Sequence, residues 1–309
     1  MTKIEWTHIP GLRGETWNPI RAENKATGSI GHYCAHVHDG CTNCYAEAMQ
    51  KRLFNNPIRY AAQDLDKVDL FLDGEVLRKP FKWRKPRCIF ISMTDPFGEF
   101  VSPSWVREIL TVAALTPHHT YILLTKRPAR MRAVMLDLDA NPRLPEYPIL
   151  AGARMTKGAV CRDAVPLSAW PLSNVWLGVS VSRQADAEEF VLDLVETPAA
   201  KRIVSVEPML EHIDLSQWFD RIDWVLCGGE SGPKARPMHL VWARYLRDQC
   251  AEAGVPFFFK QWGEWAPGRD VLPDGCDAVM RLGKKRAGRM LDGKEHNEFP
   301  HHGQSKATK

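Results

Sequence analysis

No stretch of this 309-residue sequence approaches the roughly 20 consecutive apolar residues that a bilayer-spanning helix needs. The opening MTKIEWTHIPG lacks the apolar core of a signal peptide, so a cytoplasmic location is the expectation. There is no internal repeat and no low-complexity block, which argues against a solenoid or a disordered tether. Neither sign of charge dominates. The 41 Lys and Arg against 37 Asp and Glu leave a net charge of +4, which permits an anionic partner without demanding one. A disulfide framework is not expected in a reducing compartment, although there are 8 cysteines. Five of them, Cys88, Cys161, Cys227, Cys250 and Cys276, are scattered, and Cys88 and Cys227 lie in apolar runs as small buried thiols would.

What is present is an ordinary globular composition, 44% hydrophobic and 25% charged, with length for one or two domains. Short β-rich runs alternate with helical segments. The strand candidates are Arg87–Ser92, Thr120–Thr125, Asn174–Ser180, Arg202–Val206, Asp223–Cys227 and Val255–Lys260. They are apolar on both faces, as parallel strands covered on each side are. Helices are expected over Trp105–Leu115, Gln184–Val195 and Trp242–Ala253, the last ending at a Gly254 cap, and over the YAEAMQKRLF run that follows Cys44. Strand–helix alternation predicts βαβ units closing into a parallel (β/α) barrel over residues 1–266, with a doubly wound open sheet as the alternative. Residues 74–86 and 139–171 read as excursions, the second as an insertion. Residues 267–309 read as a polar, partly disordered C-terminal extension.

One cysteine cluster stands out: Cys34, Cys41 and Cys44, in C-x6-C-x2-C spacing, with Gly40 placed for a tight turn and a helix beginning near Cys44. Three thiolates in one loop need a cation to neutralise them, and thiolates are ligands for iron–sulfur centres and for zinc. Three thiolates would leave one iron of a four-iron cluster open, and no second Cys/His pair stands at zinc-finger spacing downstream. The alternative is a Cys3His zinc site completed by His32, His36 or His38, although each of these also reads as a solvated loop residue.

A three-cysteine loop ahead of the first helix of an α/β barrel resembles the radical S-adenosylmethionine (radical SAM) superfamily, whose usual first gap is three residues where this one is six. The C-x6-C-x2-C-Y-A-E form resembles a narrower phage and prophage family related to those enzymes. Further stretches similar to that family are Ile4–Thr7, Thr16–Pro19, Leu124–Pro128, Trp176–Ser180, Gly228–Pro233 and Phe259–Gly263. The resemblance implies a partial TIM-type barrel. It implies a 4Fe-4S cluster on Cys34, Cys41 and Cys44 whose fourth iron takes S-adenosylmethionine. An electron from a donor such as flavodoxin would then release a 5′-deoxyadenosyl radical that abstracts a substrate hydrogen. It also implies phage origin, with the host cytoplasm as location, and the modification of thymidine in phage DNA. The step in view is isomerisation of a glycine attached to the base methyl, from a nitrogen to an α-carbon linkage. A radical SAM enzyme acting on a peptide or small metabolite, and a zinc-stabilised nucleic-acid-binding protein without catalysis, remain the other readings.

The cofactor-binding candidates follow from the strand ends, where such folds place ligands. Gly228 and Gly229 would let backbone approach the cofactor, and Glu230 would accept from its ammonium group. Ser180 and Ser182 would reach ribose hydroxyls, and Lys126 a carboxylate or phosphate. Tyr45 would touch adenine through its backbone. Asp95 would bind ribose or orient Lys126, and Lys260 would bind an anion or pair with Glu207. Trp6, Trp17, Trp262 and Trp265 read as core more than as stacking platforms. Two basic stretches near the rim, Lys79–Arg87 and Lys126–Arg132, suit a nucleic-acid backbone.

Overall fold

A computed structural model describes residues 2, 4–54, 58–141, 143–145, 154–156, 164–166, 170–271 and 277–300. In chain order the elements are β1 (Arg13–Thr16), β2 (Ile20–Asn24), β3 (Ile30–Gly31), α1 (Tyr45–Phe54), β4 (Val68–Asp73), α2 (Gly74–Leu77), β5 (Arg87–Phe90), α3 (Pro103–Leu115), β6 (Thr120–Thr125) and α4 (Pro128–Ala140). They continue with β7 (Arg143–Pro145), β8 (Arg154–Thr156), β9 (Ala164–Pro166), β10 (Val175–Val181), α5 (Gln184–Val195), β11 (Lys201–Val206), β12 (Trp224–Gly228), α6 (Leu240–Ala253), β13 (Phe257–Gln261), β14 (Trp265–Val271), β15 (Asp277–Arg281) and α7 (Lys284–Ala287).

Seven strands form a parallel sheet in the order β1-β5-β6-β10-β11-β12-β13. Each neighbour follows its predecessor along the chain, so the sheet winds in one sense throughout. A doubly wound sheet would reverse its order at a switch point, and this one does not. The order is that of a partial parallel β/α barrel. All six expected strands are present within a residue or two of their expected limits. Their faces are covered on both sides, with every residue of β10 and β12 buried. The seventh strand, β1, is short and polar in sequence (RGET) and sits at the sheet's edge.

The chain divides into two compact units. The first comprises residues 1–37, 44–177 and 197–200. In it, β2, β3, β4 and β8 form an antiparallel sheet of order β3-β2-β4-β8. Trp17 follows β1, and its indole N–H donates to the Val76 carbonyl at 2.7 Å while the ring meets Tyr121 edge-on at 5.6 Å. Trp6 and Trp17 are buried, as core tryptophans are. Helix α1 spans the YAEAMQKRLF run over its whole length. Of the insertion expected at 139–171, only Asp139–Asn141, β7, β8, β9 and the closing residues 170–171 fall among the described residues. Cys161 and Cys276 lie outside them.

The second unit comprises residues 38–43, 178–196 and 201–309. Helix α6 ends at Gly254, whose φ of +63° gives the left-handed C-cap read from the sequence. The described part of the C-terminal extension expected after residue 266 carries secondary structure. β14 and β15 pair as an antiparallel hairpin, and the chain then returns along β13. The Phe259 N–H donates to the His296 carbonyl at 3.0 Å and the Glu298 N–H to the Phe257 carbonyl at 3.2 Å. The Trp224 indole donates to the Glu298 carbonyl at 2.8 Å. The polar tail satisfies the free hydrogen-bonding edge of β13, which an exposed strand would otherwise leave open. The disorder expected for the last few residues concerns positions outside the described ones. Cys88, Cys227 and Cys250 are fully buried, and burial pushes each thiol up.

His119, at the start of β6, ties the basic stretch to the sheet. Its Nδ1 accepts from the Arg87 N–H at 3.2 Å and its Nε2–H donates to the Pro80 carbonyl at 3.1 Å. A second ring proton would abolish the acceptor. Burial, with His118 and Arg87 nearby, holds this imidazole at about 4. The unfolded chain therefore takes the proton first, near pH 6.5. The stabilisation is whole above that pH and is lost as pH falls from about 6.5 towards about 4. The expected loss by pH 4.5 is about 2–3 kcal/mol, because the ring is buried and that pH lies roughly two units below the unfolded value. Urea unfolding at pH 7 and pH 4.5 should show this loss in the wild type and a flatter dependence in His119→Asn.

Candidate functional site

The segment His38–Asn43 carries Cys41 within the second unit. Asp39–Cys41 forms one 3-10 turn, capped by His38, whose Nδ1 accepts from the Gly40 N–H at 3.0 Å. The sequence suggested Gly40 for a tight turn, but its φ is not among the positive ones. The glycine is needed for close approach instead. A Cβ there would lie 2.1 Å from the Ser182 hydroxyl, just past the end of β10.

Charge fastens this turn. Asp39 Oδ2 accepts from Arg183 Nε at 2.9 Å and Nη2 at 2.6 Å, while Oδ1 accepts from Arg236 Nη1 at 2.7 Å. Arg236 Nη2 also donates to the Asp39 carbonyl at 3.1 Å. The other edge of Arg236 grips Glu230, with Nη2 to Oε1 at 2.6 Å and Nε to Oε2 at 3.0 Å. Asn43 closes the arrangement, donating to Glu230 Oε2 at 3.0 Å and to the Lys234 carbonyl at 2.9 Å. Hydrogen bonds from Arg183 hold the Asp39 carboxyl below its usual range. Burial pushes Glu230 up, but Arg236 and Asn43 outweigh it and its carboxyl also sits low.

Cys34 and Cys44 belong to the first unit, where both pack against Ala46, Tyr60 and Met93. Arg127 Nη1 lies 4.0 Å from Cys34 Sγ, and its Nη2 donates to the Ala35 carbonyl at 2.8 Å. Arg127 is held in turn by Asp95 at 3.2 Å and Glu99 at 2.7 Å. Burial, reinforced by Asp95 and opposed by Arg127, pushes the Cys34 thiol up to about 12. Asp95 also accepts from the Thr125 hydroxyl at 2.7 Å and the Lys126 N–H at 3.0 Å, so it orients the Lys126 backbone. The Tyr45 hydroxyl donates to the Ser92 carbonyl at 3.3 Å, and its ring is largely exposed.

The Ser180 hydroxyl donates to the Glu207 carbonyl at 3.0 Å. The Ser182 hydroxyl is fully buried and has no hydrogen-bond partner among the described residues. Gly228 and Gly229 both meet neighbouring chain: a Cβ would lie 2.9 Å from Glu207 Oε1 at the first and 2.0 Å from the Trp262 carbonyl oxygen at the second. Glu230 is committed to Arg236. Lys260 does pair with Glu207. Trp262 is buried, and the Trp262 and Trp265 indoles donate to the Met290 and Ala235 carbonyls.

Two readings need correction. The Lys79–Arg87 stretch does not lie at the rim, because Arg87 opens β5 and a segment that precedes a strand sits at its N-terminal end. In the Lys126–Arg132 stretch, Arg127 is buried against Asp95 and Cys34, so that stretch is no free cationic face. Nor are the three histidines all solvated. His32 is buried with Nδ1 on the Ile20 carbonyl, and His38 packs edge-on against Phe190. His36 alone of the three is exposed, beside Glu47 at 3.0 Å.

Among the described residues, no three His, Cys, Asp or Glu side chains converge in a way that could hold a metal ion. The local chemistry nonetheless suits a thiolate-bound cluster. A guanidinium stands against Cys34, and a buried hydroxyl without a partner stands beside the residue preceding Cys41. Asp39, Asn43, Arg183 and Arg236 were not identified from the sequence. Arg183 and Arg236 lie 144 and 197 positions from Asp39, and no local motif marks them.

The chain belongs to the family described as "Protein of unknown function (DUF5131)", whose model matches residues 1–300. No curated protein and no solved structure matches it.

Arg236→Met would strand Glu230 at a 5% exposed position and free one side of Asp39. The expected cost is about 1–3 kcal/mol, because the arginine is itself partly solvated. Hydrogen exchange should accelerate at the Gly40–Asn43 amides and stay unchanged in β11 and β12.

Proposed function

We propose that this protein is a radical SAM enzyme that binds a 4Fe-4S cluster through Cys34, Cys41 and Cys44 and acts on an amino-acid-modified thymidine of DNA, as an isomerase of the glycine linkage. The observation that carries the reading is the treatment of the cysteine turn: two arginines fasten it through Asp39, and the buried Ser182 hydroxyl beside it has no partner of its own. A fixed turn with an unmatched hydroxyl beside it offers a bound group both a held cysteine and a hydrogen bond.

When bound, such a cluster supplies the electron that cleaves S-adenosylmethionine and starts hydrogen abstraction. The chain's own part is positional and electrostatic. Cys34, Cys41 and Cys44 would hold the cluster through their sulfurs, each giving up its proton as the iron binds. Arg127 offsets negative charge at Cys34, and Ser182 has a hydrogen-bond donor to offer. Asp39 and Arg236 keep the Cys41 backbone still.

Anaerobic purification and reconstitution test the reading. The expected result is a brown protein with about four irons per chain, which yields 5′-deoxyadenosine from S-adenosylmethionine only when reduced. Cys41→Ala should lose both colour and product, and Cys250→Ala should keep both. A colourless protein with one zinc would overturn the proposal.

A further inference from the structure

The strongest unassigned feature is the Glu207–Lys260 pair in the second unit. Glu207 directly follows β11, and Lys260 lies near the C-terminal end of β13. β12 runs between those two strands, and its last residue is Gly228. A side chain at Gly228 would press on both, since its Cβ would lie 2.9 Å from Glu207 Oε1 and 3.3 Å from Lys260 Cβ. The Lys260 ammonium donates to Glu207 Oε2, and the Gln261 amide donates to Oε1 at 2.7 Å. The Ser180 hydroxyl anchors the Glu207 carbonyl at 3.0 Å. The pair is sheltered but not sealed from solvent: the Lys260 side chain is 10% exposed and that of Glu207 26%. Lys284 is a further cation that acts on Glu207.

An ion pair so placed contributes little to stability, because removing two charges from water offsets most of their attraction. Its value lies in what can replace it. A ligand with one charge must break the pair and leave an ion unmatched in a low-dielectric setting, which is costly. A zwitterion exchanges both partners at once and leaves every charge matched. Gln261 keeps the carboxylate oriented during the exchange.

We propose that Glu207 and Lys260 together bind the α-amino-acid group of a ligand, its ammonium on Glu207 and its carboxylate on Lys260. The identity of the carrier, a modified thymidine, rests on the function proposed above. The charge logic does not. S-adenosylmethionine also bears an α-amino-acid group and is the other source of the same chemistry.

Calorimetric titration of the full chain without cluster tests this with three nucleosides. One is thymidine with glycine attached through nitrogen to the base methyl. The second is its analogue lacking the carboxylate, and the third an ether analogue lacking the amine. S-adenosylmethionine is the fourth titrant. The glycine nucleoside should bind about tenfold or more tighter than either singly charged analogue. Glu207→Gln should shift the preference to the carboxylate-only nucleoside, and Lys260→Met to the amine-only one. If S-adenosylmethionine shows the dependence on both residues and the nucleosides do not, the site stands with the cofactor as its ligand. Equal affinity of the wild type for all three nucleosides, together with S-adenosylmethionine binding that ignores both substitutions, overturns it. That outcome needs no variant to fold for the nucleoside arm. Iron content and 5′-deoxyadenosine are measured separately, so a failure of the radical reading and a failure of this one are distinguishable.

Discussion

The carboxylate of Asp39, shared between two guanidinium groups, is the interaction on which the candidate site depends. It converts a short, glycine-containing turn into a fixed one. Arg183 reaches it from the residue that precedes α5, and Arg236 from the segment between β12 and α6. Each arginine is held on its far side, Arg183 by Glu211 and Arg236 by Glu230. A single exposed ion pair is worth little. Here four ion pairs share the two arginines, so each further bond costs less side-chain freedom than an isolated pair would. The cysteine that follows Gly40 inherits a backbone position set by strand ends far away in sequence.

Close approach is the second half of that constraint. A Cβ at residue 40 would lie 2.1 Å from the Ser182 hydroxyl and 2.7 Å from the His38 ring, so the turn keeps its place without displacing either only because residue 40 is glycine. The same device recurs at Gly229, where a Cβ would strike the Trp262 backbone. In both places glycine serves contact between chain segments, and the positive φ that often explains it is absent. The space beside Gly228 and Gly229, which read in the sequence as room for a ligand, is taken in the fold by the protein itself.

Two acidic residues near these strand ends differ in what they leave available. Glu230 has both oxygens taken by Arg236, with Asn43 added, and is nearly inaccessible. Its role is to hold the Asp39 clamp. Glu207 is held by a lysine, which is a flexible point charge, and by an amide. A lysine can turn to a new anion far more readily than a bidentate arginine can. The carboxylate best placed to receive a ligand is therefore Glu207, and the GGE element that drew attention in the sequence serves support.

The sheet was legible because its strands are buried on both faces and so read as unbroken apolar runs. β6, β10 and β12 needed no partner information to be found. β1 was not legible, since at the sheet's edge its four residues are not selected for burial. Neither was the return of residues 296–298 along β13, because an edge is satisfied by backbone groups and any polar segment can supply them. The cysteine cluster draws attention through spacing, which is local. The Lys260–Glu207 pair was legible as an option because both follow apolar runs that end together. The arginine clamp was not, because a guanidinium's partner depends on which strand ends the topology makes neighbours. Arg183 and Arg236 look in the sequence like ordinary surface cations. Only the strand order β10-β11-β12, which brings the ends of non-consecutive segments to one place within the second unit, makes them the support of a cysteine 142 and 195 positions away.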